Sequence, residues 1–291
     1  MKRPGNIYLC IVAVLAAAGC SINHSNPAVI RESICFNVAV NPNTRATVSS
    51  GSTYPDDQPF ALWAFYDSGD AFLDNVASEL NGDGRWQPRG GMLWPEGHSA
   101  LTFYASSPYG RGSFEGERGL VFENYDISEG LDLLYTYPVD SRDQVSSNGV
   151  VSLDFRHALA TLRFSAITQL GEGSVITIKR ISIDGIATRA SFSSLPYAKW
   201  VCSGEDGSLV IFEGAADVGD SRIVLDEGTY QIPQKRTVTV RVLFDYSDGS
   251  TLLPAQEIES ELYLNLDSGK IVQYLLTINS AFTLKIEKDN A

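Results

Sequence analysis

The chain has 291 residues, a formal net charge of −13 and 44% hydrophobic residues. This hydrophobic content is enough for sizeable cores, and a chain of this length usually forms two domains rather than one. A strongly acidic surface repels phosphate backbones and anionic lipid headgroups, which argues against nucleic acid binding and peripheral membrane binding.

Residues 1–19 predict an export signal. Lys2 and Arg3 precede an apolar run, Ile7–Ala18, which is shorter than the roughly 20 residues that a membrane-spanning helix needs. The run leads through Leu15–Gly19 to Cys20, a pattern that resembles a bacterial lipobox. The resemblance implies acylation of the Cys20 thiol and a lipid anchor in the outer membrane of a Gram-negative cell. An ordinary signal peptide followed by a chance cysteine is the alternative.

Beyond the signal, apolar and polar residues alternate along several segments, which is the period of half-buried β-strands. The segments are Phe36–Val40, Leu101–Ala105, Val151–Phe155, Ala160–Ala166, Val238–Tyr246, Val272–Ile278 and Phe282–Ile286. Polar turn signals with glycine lie between the segments, and only Leu73–Leu80 could form a helix, which would be short. Many strands joined by polar turns predict an all-β fold made of antiparallel sandwiches.

Two polar segments divide the chain. The glycine-rich break Gln169–Ser174 precedes a new series of strands, so we place a domain boundary there. The predicted domains are an amino-terminal sandwich from 20 to 168 and a carboxyl-terminal sandwich from 169 to 291. The second segment, Asn41–Asp57, contains Arg45 and isolates the short first strand, 34–40, from everything that follows.

Two cysteines, Cys35 and Cys202, remain after the signal and the lipidated residue. An oxidising periplasm permits a disulfide between them. Two leftover cysteines are weak grounds for a bridge, and buried free thiols are the favoured interpretation.

Motifs of catalytic sites are missing from the sequence. His-Glu-x-x-His, Gly-x-Ser-x-Gly and Cys-x-x-Cys patterns do not occur, so zinc hydrolysis and triad chemistry lack their residues. We interpret His157 as a hydrogen-bonded structural residue. The alternating Glu257, Glu259 and Glu261 indicate a charged strand edge that resists aggregation. We therefore expect no enzymatic activity, no cofactor and no metal.

An ordered set of short motifs resembles the fimbrillin family, whose members are the subunits of type V pili of Gram-negative anaerobes. The motifs are Asn43–Thr47, Trp86, Leu93–Pro95, Leu101–Pro108, Phe155–Phe164 and Gly269–Ile286. Each motif is weakly specific by itself, but together they follow the expected order along nearly the whole chain. The resemblance implies two tandem transthyretin-like sandwiches and export as an outer-membrane lipoprotein that becomes part of a surface fimbrium.

The resemblance also implies proteolytic maturation. An arginine-specific protease would cut after Arg45 and leave Ala46 as the new amino terminus. The cut would remove the first strand, with Phe36, Val38 and Val40 as its inward side chains, and would open a groove in the amino-terminal sandwich. Anchor subunits of such pili keep their lipid and are not cut, so stalk, tip and anchor roles all stay open.

A strand from another pilin subunit would fill that groove through backbone hydrogen bonds and alternating side chains. The candidate donor strand carries Phe282, Leu284 and Ile286. Its partners would be other pilin subunits, the outer membrane through the lipid, and the protease. The alternative function is a monomeric surface lipoprotein that binds glycans or host or bacterial proteins.

Overall fold

A computed structural model of the protein describes residues 32–41, 52–96, 100–144, 150–202 and 206–289. Residues 32–291 group into one compact unit. The described residues are mostly β-strands, with one four-residue α-helix, Ser141–Gln144 (α1), and 3-10 turns at Gly116–Arg118 and Ile127–Glu129. The all-β prediction is confirmed. In the part of the chain that is described, no helix has the length and apolar character needed to cross a membrane.

The strands before residue 158 have two to ten residues. They are β1 (Cys35–Val40), β2 (Ser52–Thr53), β3 (Ala61–Tyr66), β4 (Ala71–Leu80), β5 (Trp86–Pro88), β6 (Leu101–Ser107), β7 (Ser113–Glu115), β8 (Gly119–Asp126), β9 (Leu134–Tyr135), β10 (Val139–Asp140) and β11 (Val150–His157).

The strands after residue 158 include the longest ones. They are β12 (Ala160–Gln169), β13 (Val175–Ile186), β14 (Arg189–Ser193), β15 (Lys199–Cys202), β16 (Gly207–Val218), β17 (Ile223–Val224), β18 (Thr229–Gln231), β19 (Lys235–Ser247), β20 (Leu252–Asn265), β21 (Ile271–Asn279) and β22 (Leu284–Lys288). Each alternating segment of the sequence overlaps one of the strands.

The amino-terminal strands pair into a sheet that closes on itself. The order is β6, β3, β4, β5, β1, β11 and β9. The pairing of β9 with β6 then closes the ring. The inward side chains of this ring form one aromatic-rich core that includes Phe36, Phe60, Phe103 and Phe155, all fully buried. Alternation explains this core, because every second residue of a strand points to the same face.

The carboxyl-terminal strands form a sandwich of two sheets. One sheet has the order β16-β13-β19-β20, and the other has the order β17-β12-β21-β22 with β18 beside β12. The sheets share a core that contains Phe164, Ile178, Val240, Phe244 and Leu276, each 0% exposed.

A third, smaller sheet joins strands from the two halves of the chain, in the order β15-β14-β8-β7. Its side chains Phe122 and Phe192 pack in a separate core with Trp63, Tyr135 and Ile232. The residues of this core come from both halves of the chain, so the core connects the ring to the sandwich.

The predicted break at Gln169–Ser174 starts with the last residue of β12 and continues through the turn before β13. β12 pairs in parallel with β21, so Ala160–Gln169 belongs to the carboxyl-terminal sandwich. β11, which ends at His157, pairs with strands of the ring, and β12, which begins at Ala160, pairs with strands of the sandwich. This change in partners lies before residue 169, where the sequence predicts the boundary. The division into domains 20–168 and 169–291 stays a prediction, because residues 32–291 form one compact unit.

The one segment considered for a helix is a strand. Leu73–Leu80 lies in β4, between β3 and β5. Leu62 of β3 pairs with Val76 and Ala64 pairs with Leu73, so β4 carries one extra residue there. This bulge contains Asn75 in a left-handed conformation, with φ +51°. A bulge shifts the phase of the apolar alternation along a strand, which makes a strand look like a short amphipathic helix.

Candidate functional site

The first strand is paired on both of its edges. β1 pairs in parallel with Val150–Phe155 of β11 along all six of its residues. On its other edge, Phe36 pairs with Trp86 of β5, and the end of β1 pairs with β2. β1 therefore fills a position inside the ring, and its removal would leave an open edge on β11 and another on β5.

The side chains of β1 contribute to the core of the ring. Phe36 is 0% exposed and Val40 is 5% exposed, while Val38 is half-buried. The Phe36 ring meets the Phe103 ring edge to face, with centroids 5.3 Å apart. Each fully buried side chain of this size contributes about 1.5–3 kcal/mol, so an empty β1 position would be an apolar slot that favours refilling.

The connection after β1 joins two neighbouring strands. The backbone N–H of Asn41 donates to the carbonyl of Phe155 at 2.9 Å, and β2 then pairs antiparallel to the end of β1. Residues 42–51 link the two strands and include Arg45 and Ala46, which lie outside the described residues. A cut in this segment would leave β1 held by non-covalent contacts alone. Cys20 also lies outside the described residues.

The last strand, in contrast, lies at the edge of a sheet. β22 pairs antiparallel with β21, from Leu284 opposite Ile278 to Lys288 opposite Tyr274. Within the described strands it has no partner on its other edge. Leu284 and Ile286 are half-buried against the sandwich core, whereas Lys285 and the other outward side chains are exposed.

A tight turn with one unusual residue leads into β22. The Asn279 side-chain oxygen accepts hydrogen bonds from the backbone N–H groups of Ala281 at 3.0 Å and Thr283 at 3.1 Å. Phe282 has φ +53°, in the left-handed region. This conformation costs roughly 1–2 kcal/mol for a residue other than glycine. Release of β22 into an extended chain would relieve this strain, so the turn is a suitable hinge.

The far end of β22 is fastened by a buried carboxylate. Asp289 is 8% exposed, and its backbone N–H donates to the carbonyl of Gln273 at 2.7 Å. Its carboxylate forms an ion pair with Arg222 and accepts a hydrogen bond from the Ser165 hydroxyl at 3.4 Å. We call this group of Asp289, Arg222 and Ser165 the clasp. The clasp holds the strand closed at the end opposite the hinge.

The structure places the predicted strand residues in two separate cores and does not bring them together. The side chains of Phe36, Val38 and Val40 face the core of the ring. Those of Phe282, Leu284 and Ile286 pack at the edge of the sandwich core. Phe282 precedes β22 rather than lying in it.

The clasp was not predicted, because no local pattern relates Asp289 in the polar tail to Arg222. The exchange roles of the strand residues themselves stay predictions.

Both cysteines of the described chain are free thiols. Cys35 is buried, and burial raises the pKa of its thiol. Cys202 is exposed at the end of the edge strand β15, so the expectation that both thiols are buried is wrong for this residue. An edge strand presents alternate side chains to solvent, which explains the difference.

His157 has the structural role predicted for it. Its Nδ1 lies 2.5 Å from Oδ2 of Asp132, and both side chains are 15% exposed. Burial raises the pKa of the Asp132 carboxyl, while the hydrogen bond to His157 opposes that rise. The pair ties the segment before β9 to the end of β11.

The glutamates of β20 form a charged edge, as predicted. β20 is the last strand of its sheet, and Glu257, Glu259 and Glu261 are exposed. Arg241 on the neighbouring strand lies 3.4 Å from a Glu257 oxygen and 3.1 Å from a Glu259 oxygen. No group of three or more metal-ligating side chains is arranged to hold an ion in the described part of the chain.

The outer face of the ring carries a shallow polar depression of about 240 Å³. Ser152 and Asp154 of β11 line one side, and Tyr137 and Asp140 line the other. The guanidinium carbon of Arg156 lies 4.8 Å from the centre of the Tyr137 ring. Such a surface offers hydrogen-bonding groups and one aromatic face to a small polar ligand.

Comparisons with known proteins agree with this architecture. The sequence profile of a family described as fimbrillin-like matches residues 44–290. A fimbrial protein from Bacteroides vulgatus has a similar structure, with a TM-score of 0.59 and 15% identity over 88% of this chain and 98% of that one.

A proposed cell adhesion protein from Bacteroides ovatus gives a TM-score of 0.57 and 14% identity over 89% of this chain and 96% of that one. Another, from Bacteroides uniformis, gives a TM-score of 0.55 and 15% identity over 88% and 98%. At these identities the likeness concerns the fold. No curated protein sequence matches the chain.

Proposed function

Because the chain belongs to the fimbrillin-like family, we propose that it is a structural subunit of type V fimbriae that supports cell adhesion. It is exported as an outer-membrane lipoprotein anchored through Cys20. It matures by cleavage after Arg45 and then assembles with other pilin subunits by β-strand exchange.

The observation that carries this proposal is the position of β1. A strand paired on both edges and buried on one face leaves a complete strand-shaped slot when it departs. The segment that would have to be cut follows it directly and contains Arg45. Strand addition then restores the backbone hydrogen bonds and the alternating core contacts.

The last strand is suited to be the donor. Leu284 and Ile286 alternate with Lys285 and Glu287, as the inward and outward residues of β1 alternate. β22 already lies at an edge, so its departure breaks pairing with one neighbour only. The exchange gives up half-buried contacts in one core and gains fully buried ones in another, which favours the polymer by about 1 kcal/mol or more per side chain.

Mass spectrometry of the mature amino terminus tests export and maturation together. We expect either an acylated Cys20, in an anchor subunit or an unprocessed precursor, or a free Ala46, in a polymerised subunit. Cys20→Ser should abolish lipid labelling and mislocalise the protein, and unchanged labelling of that variant would contradict the anchor. Arg45→Ala should prevent the shift to the Ala46 terminus.

Truncation after Ala281 tests the donor strand. The truncated monomer should fold; after arginine-specific cleavage it should bind a synthetic peptide of the sequence 282–287, yet form no multimer ladder. Wild-type protein cleaved in parallel is the control. A truncated chain that builds ladders as wild type does would remove β22 from the mechanism.

The alternative is a monomeric surface lipoprotein that binds a glycan, and the depression between Tyr137 and Asp154 favours it. A monomeric binder predicts no detergent-resistant multimers after cleavage. It also predicts that Tyr137→Ala weakens glycan binding on an array while the oligomeric state stays unchanged.

A further inference from the structure

The outer face of β11 carries two opposite charges beside the position of β1. Asp154 and Arg156 are alternate residues of this strand, and both side chains are exposed. The Arg156 guanidinium lies over the Tyr137 ring. Within the described residues, neither Asp154 nor Arg156 takes part in an ion pair. Both charges are therefore available to a strand that pairs with β11.

The strand that occupies the slot does not use these charges. Its register with β11 places Ala39 beside Asp154. Asn41 continues this register and lies beside Arg156, since its N–H donates to the carbonyl of Phe155. Both residues are uncharged. β1 thus complements the core of the ring but not the charges on the outer face of β11.

The last strand carries the complementary pair of charges. Lys285 and Glu287 are exposed on one face of β22, and the Lys285 Nζ lies 2.8 Å from a Glu287 oxygen. They are two residues apart, as Asp154 and Arg156 are. Because neighbouring strands have the same rise per residue, a strand parallel to β11 can set Lys285 beside Asp154 and Glu287 beside Arg156 at once.

The register that matches the charges also matches the inward side chains. When Lys285 takes the position of Ala39, Phe282 takes the position of Phe36, which is fully buried and meets the Phe103 ring edge to face. An aromatic side chain then replaces an aromatic one, and aliphatic side chains replace aliphatic ones. The aliphatic replacements are Leu284 for Val38 and Ile286 for Val40.

A shift of the donated strand by two residues toward the end of the slot keeps its inward face but loses the charge match. Glu287 would then lie beside Asp154, and like charges directly opposite each other destabilise a sheet. Lys288 would take the position of Val40, which is only 5% exposed. This register would fill the position of Ile34 with an aromatic side chain, so it is the main competitor.

The remaining arrangements fit less well. A shift by two residues in the other direction would set Lys285 beside Arg156 and would leave Ser280 at the fully buried position of Phe36. A strand that ran antiparallel to β11 over the same two positions would bring like charges together at both. Only one register of a parallel strand satisfies both faces of β11.

We propose that Asp154 and Arg156 select the register of the strand donated by a second copy of this chain, through ion pairs with Lys285 and Glu287. This inference rests on the proposed strand exchange and names two specificity residues for it. The donated strand makes two contacts that the departing β1 does not make, and it runs parallel to β11. Because exposed charges are screened by salt, the preference is strongest at low ionic strength.

Disulfide formation identifies the register. Cleavage after Arg45 leaves Cys202 as the sole cysteine of the subunit, so Cys202→Ser gives a cysteine-free background once the amino-terminal fragment is removed. In this background, Lys285→Cys is combined with Asp154→Cys in one chain, and polymers are oxidised with diamide. Direct neighbours on adjacent strands lie about 4.8 Å apart, whereas residues shifted by two lie about 8 Å apart, too far for a disulfide. We expect disulfide-linked ladders.

The matched controls keep the same donor cysteine. Lys285→Cys with Ser152→Cys reports the competing register, and Lys285→Cys with Arg156→Cys reports the opposite shift. Ser152 and Arg156 flank Asp154 on the outward face of β11, so all three acceptor positions share one environment. Neither control should form a ladder. A ladder in either control, or none with Asp154→Cys, would overturn the proposal.

Charge reversal measures the contribution of Asp154 independently. Asp154→Lys should slow multimer formation of the cleaved chain by about threefold or more at low salt, because it would face Lys285. Adding Lys285→Glu should restore the rate. The competing register predicts acceleration instead, since Glu287 would then lie beside a positive charge. Asp74→Lys, at an exposed position of β4, makes the same change in net charge and should leave the rate near that of wild type.

The outcomes separate the register from the strand exchange. Acceleration by Asp154→Lys, equal slowing by Asp74→Lys, or no recovery in the double variant would reject the ion pairs. Detergent-resistant multimers that cross-link through Ser152→Cys would reject the register and leave strand exchange intact. Absence of multimers from the cleaved wild-type chain would reject strand exchange and the register with it.

Discussion

The first and last strands have similar alternation but opposite positions in the fold. β1 is paired on both edges and has fully buried Phe36 in a ring that closes on itself. β22 is paired on one edge, its inward side chains are half-buried, and it is fastened by a strained turn and the clasp. A closed ring loses its continuity when one strand leaves, whereas a sandwich that loses an edge strand keeps its core.

In the proposed exchange, this difference favours β1 as the strand that is replaced and β22 as the donor. The strand whose loss leaves the greatest unsatisfied surface defines the acceptor, and the strand whose loss costs least defines the donor. The four predictions below test that difference, from the largest expected effect to the smallest.

Truncation of one inward side chain on each strand compares their contributions directly. Phe36→Ala in the uncut chain should lower the free energy of unfolding by about 3–5 kcal/mol, because it leaves a cavity in a closed core. Ile286→Ala should cost only about 1 kcal/mol, because Ile286 is already half-exposed. The midpoints of denaturant unfolding, compared at equal m-values, measure the loss of free energy of unfolding in both variants. Equal losses would remove the distinction between acceptor and donor strands.

Loss of the clasp should loosen β22 without unfolding the sandwich. Arg222→Ala removes the ion pair between Arg222 and the buried carboxylate of Asp289, which costs about 1–3 kcal/mol. Hydrogen exchange of the backbone amides of β22 should accelerate accordingly, with β1 unchanged.

Lys285→Ala is the control on the same strand, because the exposed Lys285–Glu287 pair contributes little. If Arg222→Ala accelerated exchange no more than Lys285→Ala, the clasp would not hold the strand.

Limited proteolysis should separate β1 from the ring before it affects other segments. Trypsin should cut the folded chain first at Arg45, because polar loop segments are the preferred sites of nicking. Two other arginines outside the long strands form ion pairs. Arg111 pairs with Glu129, and Arg118 pairs with Glu115 and Glu123. Amino-terminal sequencing of the first fragments measures the order of cuts. A first cut at Arg111 or Arg118 would contradict the loop assignment.

The smallest effect concerns the sheet that carries β22. Asp226 accepts a hydrogen bond from the Phe164 N–H at 3.1 Å, and burial raises the pKa of its carboxyl. The folded chain therefore holds this proton to higher pH than the unfolded chain does. The stability contribution is complete below the unfolded pKa of about 4 and is lost as the pH rises through the higher folded pKa.

Asp226→Asn keeps an oxygen acceptor for Phe164 and cannot ionise. Its free energy of unfolding relative to wild type should rise between pH 4 and pH 7, by less than about 1 kcal/mol. Thermal unfolding at several pH values measures the difference. A relative stability that falls over this range would show that the ionised carboxylate is the stabilising form. Asp217→Asn on the exposed face of β16 is the control for the loss of one surface carboxylate.

Periodicity determined much of this protein from the sequence alone. Alternating segments such as Val238–Tyr246 and Val272–Ile278 coincide with β19 and β21, because a two-residue period is a local property of a half-buried strand. The inward positions of Phe36 and Val40 follow from the same rule. The all-β class was accessible in this way, whereas the family resemblance, and with it the residues proposed for lipidation and cleavage, rests on short sequence motifs.

Tertiary structure decided which strands pair. The parallel pairing of β1 with β11 and of β12 with β21 joins segments far apart in sequence, and no local pattern specifies such partners. The bulge at Asn75 depends on the neighbours of β4, and the clasp depends on how the sheets stack. Alternation tells which side of a strand is buried, but closure of the ring placed β1 between two partner strands, and the order of the sheet left β22 with one partner. The physical reason is that the alternation of side chains along a strand depends on adjacent residues only. The pairing of strands, in contrast, minimises the exposed apolar surface and the unpaired backbone groups of the whole chain.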